Sequence, residues 1–360
     1  MITLGIESTA HTFGISILKD KTFLCNLREM YTTKKGGIIP VEAAKHHEQI
    51  KDVLLNKALQ ESNINLTDIN LITYSNAPGL APCLLQGRDF AKVLAFKLKI
   101  PLVPVNHCIA HLEIGELTGA KDPVLLYCSG ANTQIIAYAA GKYRIFGETL
   151  DMGIGNFIDT FARYAGLGFP GGAKIEQLAR KSNKTISNDL DLKKDKAQNT
   201  NLKRTNINAQ KSSQLTYPNF IELPYSVKGM DVAFAGLLTN LKQKLDSKKF
   251  PIENLSFSLQ ETAFAMLLET AERAMAHLGK KELLLGGGVA CNSRLQKMAK
   301  IMCKERNAKC FIPEKQFLVD NAGMIAYLGQ KMFKAGISIK PDLADINPSQ
   351  RTDQVQVTWR

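Results

Sequence analysis

Apolar and polar positions along this chain fall into short runs, and one arrangement of runs occurs twice. Ile2-Thr3-Leu4-Gly5-Ile6-Glu7 predicts a strand, 8–12 a small polar turn and 13–18 a returning strand. Much later, 124–127 predicts a strand, Ser129-Gly130-Ala131-Asn132-Thr133 a polar turn and 134–139 its return. Each hairpin runs past a lysine into a third strand, and helical spacing follows in both halves, over 40–58 and 154–165. Two halves that each open on strand, polar turn and strand predict an α/β fold of duplicated lobes around a phosphate-binding cleft. The alternative is a chance likeness between two hairpins.

A chain of 360 residues is too long for one typical core. The pattern divides it into an N-terminal lobe over 1–120, a C-terminal lobe over 121–327, and a C-terminal helix and tail over 328–360. Within the second lobe, 181–216 has no periodicity and is dominated by Asn, Lys, Ser and Thr, the composition of a basic low-complexity surface insertion.

Hydrophobic residues make up 45% and aromatic ones 7%, which fits a globular α/β protein and not a disordered or fibrous chain. The opening residues lack the basic stretch and long apolar core of a secretion signal, and Lys or Arg interrupts every apolar run short of membrane-spanning length. Seven cysteines without a C-x-x-C pair suit free thiols in a reducing cytoplasm better than a disulfide framework. The net charge of +13 favours a polyanionic partner, although 181–216 alone, with eight Lys or Arg against three Asp, carries five of those charges. That stretch suits contact with an RNA, or simple solvation.

The densest chemistry lies in Asn106-His107-Cys108-Ile109-Ala110-His111, directly after the apolar run 101–105. If a helix follows that strand, two imidazoles a turn apart share one face and suit a transition-metal ion. A zinc-protease helix needs a Glu beside its first His, and Cys108 stands there instead. The alternative is a pair of helix histidines that meets no metal. Three further segments have the makings of a nucleotide pocket. Leu283-Leu284-Leu285 predicts a strand that ends in Gly286-Gly287-Gly288, with Asn292 ahead of a helix over 293–305. Phe169-Pro170-Gly171-Gly172 is a tight turn opening a helix that carries Glu176, a carboxylate suited to ribose hydroxyls. Asp151-Met152-Gly153-Ile154-Gly155-Asn156 precedes a helix carrying Asp159. Singly, each is also an ordinary turn or cap.

Several strings together carry a family resemblance: His107-Cys108-Ile109-Ala110-His111, Phe146-Gly147-Glu148-Thr149-Leu150-Asp151, Leu167-Gly168-Phe169-Pro170-Gly171-Gly172, Leu223-Pro224-Tyr225-Ser226-Val227-Lys228-Gly229-Met230-Asp231 and Asp320-Asn321. The chain resembles the archaeal and eukaryotic branch of the TsaD family, the threonylcarbamoyltransferases of the KEOPS complex. The resemblance spans the chain except for the insertion. It implies the two-lobed fold of actin, the large heat-shock chaperones and sugar kinases. The implied reaction moves a threonylcarbamoyl group from threonylcarbamoyl-AMP to N6 of the adenosine just 3′ of the anticodon, in tRNAs reading codons that begin with A. The resemblance further implies one divalent metal, iron(II) with zinc as the alternative, on His107, His111, Tyr127 and Asp320. The adenylate, or ATP, would lie along Tyr127, Cys128, Ser129, Gly130 and Ala131, with Asp159, Gly172, Glu176 and Asn292 around its sugar and base. The implied partners are tRNA and the other KEOPS subunits: a small atypical protein kinase, a dimerising accessory subunit and a further accessory subunit. No kinase is expected to be fused, since the chain closes soon after Arg351-Thr352-Asp353.

The proton lost by the N6 amine needs a base, for which Glu7 and His11 in the first turn are the candidates. The chain departs from the resembled pattern at Ala131, where a second glycine is usual and a methyl group would crowd a phosphate or resist a positive φ. It also departs at Ala77, Ala81, Ala235 and Ile39. The competing reading is a non-catalytic, ATP-binding actin-like clamp, and sugar-kinase chemistry would leave the histidine pair unexplained, because hard magnesium prefers oxygen ligands.

Overall fold

Two five-stranded mixed sheets of identical topology make up the frame of the computed structural model, which describes residues 1–33, 37–182 and 219–360. In the first, β1 (Ile2–Glu7), β2 (Thr12–Lys19) and β3 (Thr22–Met30) form an antiparallel meander, and β4 (Leu71–Ala77) then β5 (Leu102–Asn106) add in parallel beside β1. In the second, β6 (Val124–Cys128), β7 (Thr133–Ala139) and β8 (Lys142–Glu148) repeat the meander, and β11 (Glu282–Gly286) then β12 (Lys309–Phe311) add beside β6. The sheet orders β3-β2-β1-β4-β5 and β8-β7-β6-β11-β12 coincide position by position. The duplicated lobes read from the two hairpins are therefore real. A short ribbon, β9 (Val227–Lys228) with β10 (Asp231–Val232), is attached to the second lobe.

Both faces of the first sheet are covered, and its alternating side chains show why. Leu4, Ile6, Phe13 and Ile15 pack with Leu54, Leu55, Phe90 and Leu94 of α1 (Pro40–Ser62) and α2 (Ala81–Leu98). The intervening positions are small. A methyl group on Gly5 would lie 2.4 Å from the Ala322 carbonyl oxygen, and one on Gly329 would lie 2.3 Å from the Thr73 side chain. Helix α10 (Ala322–Lys334) thereby lies almost on the sheet backbone, pinned by a 3.1 Å hydrogen bond from Gln330 Nε2 to Thr3 Oγ1. Its N-terminus is fixed by Asn321, whose side chain accepts from the Met324 amide at 3.0 Å.

The second lobe wraps its sheet with α4 (Ile154–Tyr164), α5 (172–182 as far as described), α6 (Ala235–Asp246), the long α7 (Ile252–Leu278) and α8 (Ser293–Glu305). Phe157 of α4 stacks on Phe234 at 5.3 Å, and Leu259, Phe264 and Leu267 of α7 complete that core. The resemblance strings are structural joints here. Asp151 accepts from the Phe234 and Ala235 amides at the head of α6, and Asp231 accepts from the Glu148 amide at 2.8 Å. The expected insertion over 181–216 lies outside the described residues apart from Lys181 and Ser182. Asn219 Nδ2 donates to the Ser182 carbonyl at 3.0 Å, so the described chain leaves and returns at one point. Among the described residues, no helix is long and apolar enough to cross a membrane.

One buried histidine ties α1 to the first turn. His47 Nε2 donates to the Ala10 carbonyl at 3.0 Å, while its ring packs 5.4 Å from that of Phe13. Burial pushes its pKa down from 6.5 to about 4. Between those values the unfolded chain takes up a proton that the folded chain does not. The stabilisation from neutral His47 is thus complete above about pH 6.5 and is lost as the pH falls towards 4, by roughly 3 kcal/mol at about 1.4 kcal/mol per unit. Denaturant unfolding of wild type and His47→Gln at about pH 7 and pH 4.5 checks this. The variant should lack that share of the acid destabilisation, and parallel losses in both proteins would rule it out.

Candidate metal centre and nucleotide cleft

Helix α3 (His107–Glu113) is seven residues long, too short to persist by itself. It is gripped at both ends. At its head Asn106 accepts from the Cys108 and Ile109 amides, and Asn106 Nδ2 donates to Gln350 Oε1 at 3.1 Å. At its foot Glu113 is fully buried and accepts from Lys331 Nζ at 2.6 Å, Trp359 Nε1 at 3.2 Å, Arg360 Nε at 3.3 Å and the Tyr143 hydroxyl. Burial would raise the Glu113 pKa, but Lys331 and its other donors outweigh it and hold the carboxyl below its usual value. The Arg360 guanidinium also covers the Tyr138 and Tyr143 rings at 4.7 and 5.3 Å. The residues beyond α10 thus run as a strap along both ends of α3.

Held this way, His107 and His111 present their rings edge to face, 4.8 Å apart, into a buried space shared with Tyr127 and Asp320. His107 Nε2 lies 3.2 Å from the Tyr127 hydroxyl and 3.4 Å from Asp320 Oδ1, and His111 Nε2 lies 3.7 Å from the same Asp320 oxygen. One donor atom from each of His107, His111 and Asp320 falls within 4.8 Å of the others. Among the described residues, both ring nitrogens of His111 are buried without a hydrogen-bond partner, a costly state that a bound cation would relieve at one of the two. Nitrogen and oxygen ligands at 2.0–2.2 Å from a tetrahedral ion sit roughly 3.3 Å from each other, so the donor set fits a metal. Asp320 is free to join because Asn321, not Asp320, caps α10.

The far side of His107 is held by Glu7, whose Oε2 lies 3.0 Å from Nδ1. Glu7 Oε1 accepts from the Thr9 amide and hydroxyl at 2.7 and 2.5 Å. This candidate base is therefore fully buried with both oxygens engaged, behind the imidazole rather than facing the cleft. Burial alone would lower the His107 pKa, but Glu7 and Asp320 outweigh it and hold it well above 6.5. Burial lowers that of His111 and raises that of Tyr127 well above 10. Burial would raise the Asp320 pKa too, but its histidine partners hold it well below 3.8. The site is arranged for positive charge, which a proton or a metal ion could supply.

His11, the other candidate base, is half-buried at the mouth of the turn, its ring 6.4 Å from Phe169 of the opposite lobe. Its side chain makes no hydrogen bond among the described residues.

Beside Tyr127, the turn from Cys128 closes on itself. The Ser129 amide donates to the Asn132 carbonyl at 2.9 Å, and the Asn132 amide donates to Ser129 Oγ at 3.0 Å. The Gly155 and Asn156 amides hold the Ser129 and Gly130 carbonyls at 3.1 and 3.2 Å. Gly287, with φ +86°, lets the second glycine loop reach this turn, since a Cβ there would lie 2.3 Å from the Cys128 carbonyl oxygen. Ala131 has no positive φ, so the strain expected from its methyl group is absent. The remaining pocket residues form one linked wall. Asp159 Oδ1 accepts from the Gly171 amide at 2.7 Å beside Gly172, and Glu176 accepts from the Ser293 amide and hydroxyl. Asn292 caps α8 through Oδ1 and donates through Nδ2 to Gln260 at 2.6 Å. Burial raises the Asp159 pKa, whereas Ser293 and Arg180 outweigh burial and lower that of Glu176. Sequence spacing alone pointed only to the histidine pair; Tyr127 reads as a strand aromatic and Asp320 as a cap, and only the resemblance singled them out.

The sequence model of TsaD, tRNA N6-adenosine threonylcarbamoyltransferase, matches residues 24–327. A protein of that name from Thermococcus sibiricus is 48% identical over 359 residues, spanning 100% of both chains. Its namesake from Thermococcus kodakarensis is 47% identical over the same span. Among solved structures, HypF of T. kodakarensis aligns with TM-score 0.53 and 13% identity over 95% of this chain and 49% of its own. An activator of 2-hydroxyisocaproyl-CoA dehydratase from Clostridium difficile aligns with TM-score 0.50 and 11% identity over 96% of this chain and 100% of its own. These two share the fold, the duplicated actin-like and sugar-kinase-like architecture.

Two substitutions test the centre. Glu7→Gln should weaken divalent-metal binding by about 10- to 100-fold, read by competition with a coloured chelator. Unchanged affinity would refute an orienting role for that carboxylate. Glu113→Ala removes the buried partner of Lys331 and Arg360, leaving them only the more exposed Glu116 and Asp122, and should cost about 3 kcal/mol in denaturant unfolding, with wild-type stability as the contrary result.

Proposed function

The chain belongs to the tRNA N6-adenosine threonylcarbamoyltransferase family, and from that premise we propose that it transfers a threonylcarbamoyl group from threonylcarbamoyl-AMP to N6 of the adenosine just 3′ of the tRNA anticodon. The observation that carries this reading is the convergence of His107, His111, Tyr127 and Asp320 directly beside the Ser129–Ala131 turn. A non-catalytic nucleotide clamp leaves that donor set without a task.

The donor is a mixed carbamic–phosphoric anhydride, already activated, so the protein has mainly to position it and stabilise charge. His107, His111, Tyr127 and Asp320 would hold one divalent metal, iron(II) with zinc as the alternative. When bound, that ion supplies positive charge near the phosphate and a Lewis acid beside the carbonyl. Glu7 fixes the His107 ring so that Nε2 faces the donor set. Backbone groups of 129–131 lie along the phosphate. Asp159, Gly172, Glu176 and Asn292 wall the sugar and base, with Asn292 acting through the fold, its side chain being committed to the α8 cap and Gln260.

In the transfer, N6 forms a bond to the carbamoyl carbon, the bond from that carbon to the phosphate oxygen breaks, and AMP leaves with the electron pair. The proton shed by N6 passes to His11, the candidate whose imidazole is uncommitted and lies at the mouth between the lobes. The partners under this reading are tRNA and the KEOPS subunits, namely a small atypical protein kinase, a dimerising accessory subunit and a further one. A cytoplasmic location accords with seven free cysteines.

The test is transfer of labelled threonine from threonylcarbamoyl-AMP into unmodified tRNA, for wild type and His107→Ala, with and without those subunits. The variant should stay folded, lose metal and lose about a hundredfold or more in transfer. Wild-type metal content and transfer in the variant would overturn the assignment of the centre, and no label from wild type with all partners present would overturn the reaction.

A further inference from the structure

The outer face of α8 carries a run of positive charge that the chemistry described so far does not use. Ser293, Lys297, Lys300, Ile301 and Lys304 are exposed, at spacings of four, three, one and three residues that place them on one stripe. The arginine of the same helix and the one just past its end face the other way and are neutralised. Arg294 Nε meets Glu261 at 2.6 Å, and Arg306, just past its end, meets Glu272 at 2.9 Å, both carboxylates belonging to α7. No ion pair among the described residues involves Lys297, Lys300 or Lys304. The one acidic residue of the helix, Glu305, lies at its very end. On α1, by contrast, Lys45 is paired with Glu42 at 3.0 Å and Lys57 with Glu61 at 4.0 Å.

The stripe starts at the cleft. Ser293 Oγ donates to Glu176, a wall residue of the nucleotide site, and Arg180 joins both through Nη2 at 2.6 and 2.8 Å. From there the lysines lead outward over about 10 Å of helix axis, enough for about three phosphates at 3.4 Å of axis each. At the far end exposed Lys309 and Lys281 continue the charge, side by side through a 2.8 Å backbone hydrogen bond at the start of β12 and β11.

We propose that this face of α8 is a phosphate-contacting track that carries the tRNA backbone to the rim of the cleft. Lys297, Lys300 and Lys304 act as point charges on successive phosphates, fixing how the substrate lies without reading its sequence. The occupant is argued from charge complementarity and from where the stripe begins, and it rests on the transferase reading for the identity of the polyanion.

The experiment compares equilibrium binding of unmodified tRNA by the full chain and by Lys297→Gln/Lys300→Gln/Lys304→Gln, across about 50–200 mM salt. Glutamine removes charge with little loss of helix propensity, and an unchanged thermal midpoint checks the fold. The same change at Lys45, Lys51 and Lys57 of α1 serves as a charge-matched control. The α8 variant should lose about tenfold or more in tRNA affinity, and its log–log salt slope should flatten by about two to three. The control should bind nearly as wild type, and threonylcarbamoyl-AMP affinity should be unchanged in both. Wild-type affinity and slope in the α8 variant overturn the proposal, as does an equal loss in the control, which would indicate a diffuse field instead of a track. Binding needs no turnover, so these outcomes stand apart from whether wild type performs the transfer.

Discussion

A seven-residue helix does not hold itself in water, so the two imidazoles on α3 are only as well placed as the groups that grip its ends. That grip is long-range at every point. Gln350 reaches the N-cap, and Lys331, Trp359 and Arg360 reach Glu113, all from residues more than two hundred positions later in the chain. Tyr143 of the second lobe reaches the same carboxylate. A buried Glu that lost these donors would be an uncompensated charge at the foot of the metal helix. The back of the centre therefore depends on the strap as much as its front depends on the ligands.

The approach of α10 is the complementary constraint. Gly5 and Gly329 bring this helix onto the first sheet at backbone distance, and that approach sets where Asp320, two residues before the helix, can stand. Glu7 and Asp320 then flank His107 from opposite sides, at 3.0 and 3.4 Å. Two carboxylates around one buried imidazole repel each other unless positive charge lies between them. The raised pKa of His107 and the depressed one of Asp320 are two expressions of that demand. A proton satisfies part of it, but leaves both nitrogens of His111 unpartnered. A cation held in common would meet the charge demand and take up one of those two nitrogens.

Local features were legible in the chain and long-range ones were not. The paired hairpins, the helix after the strand at 102–106 and the His spacing depend on neighbours within a few residues, and each stands in the structure close to where the pattern places it. Periodicity carries no signal for Tyr127 and Asp320, which differ from any strand aromatic or loop acid only in what they face once both lobes are assembled. Glu7 illustrates the limit from the other side. Its place at the end of the first strand was evident, but its direction, towards His107 Nδ1 and away from the cleft, follows from α3 packing behind the turn after it. Ala131 is the converse case, where a residue-level concern about backbone strain disappears because the turn keeps an ordinary φ.

Duplication explains why such distant residues meet. In the matching sheet orders, β5 and β12 are corresponding edge strands, and β1 and β6 corresponding central ones. His107 and His111 follow β5, and Asp320 follows β12. Glu7 ends β1, and Tyr127 is the penultimate residue of β6. Glu7, Tyr127 and the histidine helix thus come from strand ends of the two lobes, whereas Asp320 stands well past β12, just before α10. The two first turns have diverged in task from the same position. One follows the carboxylate that meets the His107 imidazole, and the other is closed on itself by Ser129 and Asn132. A donor set drawn from both lobes needs them in register, so its geometry and lobe packing are coupled in this chain.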